Sequence, residues 1–330
     1  MGEKVAAGQF DLSDRQRYRG KLRQCLAGLA RLLEEKRFDR PKNLMGLEIE
    51  LNLAGLDGMP RMMNAQVLEK IASRDFQTEL AMFNLEVNIA PHRLGGRVFD
   101  RLAEELRTSL AYADRKAGEV DAGIVMIGIL PTLGRDDLVS TNLSAVDRYT
   151  LLNDQIVAAR GEDFELDIDG VERLVCTSRS ITPEAACTSV QLHLQVTPER
   201  FADVWNAAQA VAAAQVALGA NSPFLFGREL WRESRPPLFQ QSTDTRPPEL
   251  QAQGVRPRTW LANAGSPPRR SCSRRTCATS RRCCRSATRR TPCACSTRAA
   301  FRSSPNSSST TARCTAGTGP CTGWRTASPI

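Results

Sequence analysis

Three short stretches of the chain carry side chains suited to holding cations. In "MGLEIELNL" they are Glu48, Glu50 and Asn52; in "FNLEVNIA", Asn84, Glu86 and Asn88; in "SVQLHLQV", Gln191, His193 and Gln195. Each set recurs at every second residue, so in a strand each would share one face. The plainest reading is three ordinary strands with one solvated side. Solvated strand faces, however, usually mix Thr, Lys and Arg with acids, and none of these positions is Lys, Arg, Ser or Thr. Carboxylates, amides and one imidazole point instead to a divalent ion, Mg2+ or Mn2+. Glu48 and Glu50 also repel each other at this spacing unless something positive sits between them.

Ions held on such a face could bridge the phosphates of ATP and neutralise charge as a phosphoryl group moves. Neither G-x-x-x-x-G-K-[ST] nor G-x-G-x-x-G occurs, which argues against the two commonest glycine-rich nucleotide loops. Asn88 and Gln191, beside the carboxylates, are read as contacts to the nucleotide cofactor. The other histidine, His92 in "IAPHRLGG", is read as structural.

The elements that must position these residues follow from periodicity. Leu47, Ile49, Leu51 and Leu53 form the apolar side of the first strand, within residues 43–55. Phe83, Leu85, Val87 and Ile89 do so in the second, and Val190, Leu192, Leu194 and Val196 in the third. Helical spacing is expected over 14–37 (Leu22, Leu26, Leu29, Leu32, Leu33), over about 64–72, and over 97–117 (Val98, Leu102, Leu106, Leu110). "DAGIVMIGILPTL" is apolar on both sides and reads as a buried central strand. "FELDIDGVERLVCTS" reads as a hairpin about Asp169–Gly170. "TPER" should open a helix with Thr197 as its cap, running to about 218. Its Ala, Val and Gln composition suits burial against a sheet. The segment from 221 to 251 reads as loop-rich, with clustered arginines. Together these give an α+β fold with a curved antiparallel sheet flanked by helices.

Composition divides the 330 residues near position 260. Residues 261–330 hold 13 Arg and no Lys, Asp or Glu, leaving 32 basic against 36 acidic residues in 1–260, a net of −4. Eight of the 11 cysteines lie in the tail; Cys25, Cys176 and Cys187 lie in the body. Three well-spaced body cysteines suggest a reducing compartment without a disulfide framework. The first residues have no apolar core of a signal peptide, and no apolar run is long enough to span a membrane. A cytoplasmic protein is expected.

The tail, "SCSRRTCATSRRCCRSATRRTPCACSTRAAF" and beyond, has no Val and one each of Leu, Ile, Phe and Trp, so it cannot build a core and is expected to be disordered. It lacks His and repeated C-x-x-C pairs, which argues against zinc. An arginine-rich arm for nucleic acid is the weaker alternative. The stronger is a shifted reading frame. "RCTAGTGPCTGW" can be encoded by GC-rich codons that, two bases on, spell V-Y-R-W-N-R-P-V-Y-G-V, and "LANAGSP" can likewise hide G-E-R-W-I.

"MGLEIELNL", "FQTELAMFNLEVNIAPHR", "ACTSVQLHLQV" and "NSPFLFGRELWRESR", in this order, resemble the carboxylate–amine ligase branch of the glutamate–cysteine ligase family. The resemblance covers about 10–260. It implies a glutamine-synthetase-like catalytic domain that uses ATP and two or three divalent ions to join the γ-carboxylate of L-glutamate to an amine such as that of L-cysteine, through a γ-glutamyl phosphate. It implies metal ligation by Glu48, Glu50, Glu79, Glu86 and His193. Arg235 matches a position that holds the glutamate carboxylate or the transferring phosphate, with Arg228, Arg232 and Arg246 as competitors. The family's domain continues beyond this region with further strands and another acid. Residues 1–260 are therefore expected to form an incomplete catalytic domain, and the chain to be inactive or impaired. The alternatives are a metal- or nucleotide-binding remnant without turnover and a basic-tailed nucleic-acid binder.

Overall fold

The computed structural model describes residues 10–38 and 42–257. The expectations for the tail from 261 lie outside the described residues.

The sheet is built around β1 (Leu44–Ala54). Along one edge β1 pairs antiparallel with β3 (Asn84–Arg93), which pairs in turn with β2 (Phe76–Thr78). Two strands share its other edge, both antiparallel: β4 (Gly123–Val125) beside Asn52–Ala54, and β7 (Val190–Leu194) beside Met45–Ile49. The hairpin of β5 (Phe164–Ile168) and β6 (Leu174–Ser178) stands apart, as does the short pair β8 (Phe224–Leu225) and β9 (Arg228–Glu229).

Seven helices complete the described fold: α1 (Leu12–Glu34), α2 (Asn64–Ile71), α3 (Val98–Gly118), α4 (Asp147–Arg160), α5 (Phe201–Gly219), α6 (Arg235–Ser242) and α7 (Pro248–Ala252). The architecture is α+β, an antiparallel sheet flanked by helices, as the sequence led us to expect.

The apolar sides of β1 and β3 close against α2 and α3. Leu51, Leu85 and Val87 meet Val67 and Ile71 of α2 and Val98, Leu102, Ala113 and Ala117 of α3 in one buried cluster. Each large side chain sealed there contributes roughly 1.5–3 kcal/mol. A second cluster, with Phe83, Ile129, Leu133, Tyr149, Phe164, Leu166 and Leu238, joins the β5–β6 hairpin to α4 and α6.

Several sequence expectations need correction. The apolar run 121–133 is not a central strand, since only Gly123–Val125 is paired. Beyond it the Ile127 carbonyl accepts from the side chains of Asn52 and Thr188, and the Gly128 carbonyl from the Thr188 N–H at 3.0 Å and its hydroxyl, so no strand ladder continues there. Gly128 allows this course, because a Cβ there would sit 2.8 Å from the Asn221 carbonyl and 2.9 Å from Arg235 Cζ. The apolar side of β7 is exposed, with Val190, Leu192 and Leu194 at 44, 43 and 51%. They share the face of Met45, Leu47 and Ile49, but β7 lies beyond the cluster that α2 and α3 cover. Helix α5 starts at Phe201, later than Thr197, and buries no residue; nor does α1. Helices α6 and α7 occupy part of the segment expected to be loop.

Candidate metal centre

The register of β1 with its neighbours decides which polar side chains meet. Glu50 stands opposite Glu86, Glu48 lies between Asn88 on one side and Gln191 on the other, and Asn52 faces Asn84. Paired residues share a sheet face, so period 2 places Glu48, Glu50, Asn52, Asn84, Glu86, Asn88, Gln191 and His193 on the same side. Gln195 follows β7 and does not join them; its side-chain oxygen accepts from the Lys42 N–H at 2.8 Å.

At the middle of this face three carboxylates converge. Glu50, Glu79 and Glu86 each offer an oxygen, and these oxygens lie within 4.8 Å of one another. Glu50 and Glu79 are buried, at 4 and 7% exposure. Two ionised carboxylates at that separation repel by about 3 kcal/mol at an effective dielectric constant near 20. A divalent cation among them turns that repulsion into attraction. An all-oxygen set fits Mg2+ or Mn2+ and not a thiolate-seeking metal.

Two of the three carboxylates, Glu50 and Glu86, are held by neighbouring groups. Glu50 Oε2 accepts from the Ser189 N–H at 2.9 Å and from the Ser189 hydroxyl at 3.1 Å; its Oε1 lies 3.4 Å from Gln191 Nε2. Glu86 Oε1 accepts from Asn88 Nδ2 at 2.9 Å. The two amides assigned to the cofactor therefore brace the carboxylates in this structure. Gln191 Oε1 is buried without a hydrogen-bond partner.

Glu48 and His193 form the more open part. Glu48 Oε2 lies 3.3 Å from His193 Nε2, close enough for an ion pair. The contact is not aligned as a hydrogen bond, and Nε2 is buried without one. A buried ring nitrogen without a hydrogen bond, beside a carboxylate oxygen, is suitably placed to share a cation. His92, by contrast, reaches Glu105 of α3 at 2.7 Å and serves packing.

Arg235 is held by a clasp of fixed partners. Its Nε donates to Glu233 Oε1 at 2.8 Å, Nη2 bonds Glu233 Oε2, Nη1 donates to the Thr188 carbonyl at 2.8 Å, and Nη2 also reaches the Gly219 carbonyl at 2.7 Å. Burial alone would lower its pKa, but the hydrogen bonds and charge of Glu233 outweigh this and raise it. Glu233, buried at 2%, also accepts from the Ser222 hydroxyl at 2.9 Å. Thr188, held by Arg235, precedes the serine that holds Glu50, so the clasp supports the centre through the backbone. Sequence reasoning missed Glu233 and Ser189. An acid two residues before an arginine was visible for the first; nothing local marked the second.

Burial pushes the Cys187 thiol well above its ordinary pKa, and its Sγ lies 3.7 Å from the Arg235 carbonyl. A thiol kept protonated in this way is a poor nucleophile.

The fold and this face define a class, an α+β protein with carboxylates gathered on an antiparallel sheet. More particularly, the chain belongs to glutamate–cysteine ligase family 2, whose model matches residues 44–294. That match runs past the change of composition near 260. Among curated proteins none matches the chain. Solved structures similar to it include glutamate–cysteine ligase (gshA) from Francisella tularensis in complex with AMP, at 13% identity and a TM-score of 0.37. The similarity covers 56% of this chain and 36% of that one, so the chain spans about a third of that ligase's length. No described helix is long and apolar enough to cross a membrane.

Proposed function

We propose that this chain carries the metal-binding part of an ATP-dependent carboxylate–amine ligase of the glutamate–cysteine type. The observation that carries the reading is the convergence of Glu50, Glu79 and Glu86 on one sheet face. The substrates proposed are L-glutamate and an amine such as L-cysteine, joined through a γ-glutamyl phosphate in the cytoplasm.

Glu50, Glu79 and Glu86 would hold one ion, and Glu48 with His193 would complete the shell. When bound, Mg2+ or Mn2+ supplies charge neutralisation between the γ-phosphate of ATP and the approaching carboxylate. Ser189 and Asn88 fix the carboxylates before substrate arrives, so little reorganisation remains for the reaction. Arg235, immobilised by Glu233, adds positive potential behind Glu50. The acyl phosphate is itself reactive towards an amine, so no protein nucleophile is required, in keeping with the protonated Cys187.

Residues 1–260 are proposed as the catalytic part and 261–330 as an appended tail from a shifted frame, leaving the chain itself impaired. The test is ADP release from ATP with L-glutamate, L-cysteine and Mg2+, comparing this chain with one whose frame is restored near Trp260. Turnover is expected only in the restored chain and only with all components present. Equal turnover from both would remove the tail argument. Mn2+ binding without turnover in either would leave a binding protein in place of a ligase.

A further inference from the structure

We infer that Asn64 and Ser144 are positioning residues for the Glu79 carboxylate, an inference that rests on the metal-dependent reading above. Glu50 and Glu86 are placed by strand register, one opposite the other. Glu79 has no such support, because it lies between β2 and β3, outside the ladder.

Its support comes from two side chains distant in sequence. Asn64, the first residue of α2, is 2% exposed, and Ser144, just before α4, is 1% exposed. The Ser144 hydroxyl donates to the Glu79 carbonyl, and the Ser144 N–H donates to the Leu80 carbonyl at 2.9 Å. Asn64 Nδ2 lies 3.1 Å from the Ala81 carbonyl, 3.1 Å from the Asn84 carbonyl and 2.8 Å from Ser144 Oγ. The Asn64 N–H donates to the Met82 carbonyl at 2.9 Å. The Phe83 carbonyl accepts from the Leu53 N–H at 2.7 Å. Every carbonyl from Glu79 to Asn84 thus has a donor; Asn64 or Ser144 reaches each of them except that of Phe83, and the Asn84 N–H also donates to the Ala81 carbonyl at 2.9 Å. Removing Ser144 or Asn64 would leave buried carbonyls of this turn unpaired, so the pair favours the conformation seen. Glu79 is therefore delivered to the candidate metal centre by the start of α2 and by Ser144, in the approach to α4.

The test measures Mn2+ affinity, without turnover, in the full 330-residue chain, alongside thermal melting. Ser144→Ala removes the donor to the Glu79 carbonyl and is expected to weaken Mn2+ binding about tenfold or more, the usual cost of losing a partner behind a metal ligand. Ser144→Thr keeps the hydroxyl but forces a methyl into filled space, so it should lose more stability and yet retain wild-type affinity. A merely structural role would rank affinity by stability instead. If Ser144→Ala melts below the assay temperature, the nearly isosteric Ser144→Cys, a much weaker donor, replaces it with the same expected order. Unchanged affinity in the variant lacking the hydroxyl, with Mn2+ bound by the wild type, overturns this inference alone. No Mn2+ binding by the wild type overturns the metal reading and this inference with it.

Discussion

The two halves of β1 are built differently. From Leu44 to Ile49 burial alternates residue by residue, with Met45, Leu47 and Ile49 buried and Glu48 left partly open. From Glu50 to Ala54 every residue is buried, polar and apolar alike. On the closed half the polar side chains meet fixed donors, Ser189 on Glu50 and Asn84 on Asn52. On the open half Glu48 and His193 share a loose contact and some solvent. The difference teaches a division of labour. On the proposed reading, the closed half would fix charge before a ligand arrives, while the open half would admit and release one.

The largest effect should come from the clasp behind the closed half. Arg235→Ala leaves Glu233 buried without its cation, which is expected to cost about 3–5 kcal/mol in denaturant unfolding. A loss below about 1 kcal/mol, the worth of an exposed ion pair, would show that the half is not closed.

Next comes the carboxylate that this half presents. Glu50→Gln keeps shape but removes a charged ligand. It should weaken Mn2+ binding by at least about 100-fold, the upper end of what even supporting partners are worth. The melting temperature should stay within a few degrees, since the amide oxygen can still accept from Ser189.

Smaller still is the effect expected on the open half. Glu48→Gln should weaken Mn2+ binding about tenfold, because a partly solvated carboxylate is replaced more readily by water. Equal losses at Glu48 and Glu50, measured in one titration series, would erase the distinction between the halves.

The alternation of β1 and β3 makes the ligand face legible in the amino-acid sequence. Strict period 2 with unmixed ligand chemistry names Glu48, Glu50, Glu86 and His193, and the family resemblance adds Glu79. What the residues could not reveal was support arriving from far along the chain. Ser189 meets Glu50 across 139 residues, and Ser144 meets Glu79 across 65. Neither leaves a local pattern. The run 121–133 misled for a different reason: continuous apolarity reports burial but not whether the backbone is paired. The exposed side of β7 misled because alternation assigns faces without saying which neighbour covers them.

The pairing of β1 with β7 also sets a clock. β1 is made first, and the strand that occupies half of its second edge follows some 140 residues later. At about 5–20 residues per second, synthesis leaves that edge open for roughly 7–30 s. Closing so long a loop is entropically slow. The pairing with β3, much nearer in sequence, can form within that interval, which would set Glu50 opposite Glu86 before Ser189 is made. The nascent chain would then carry that charge repulsion, with Asn88 beside Glu86 but without the serine that later steadies Glu50.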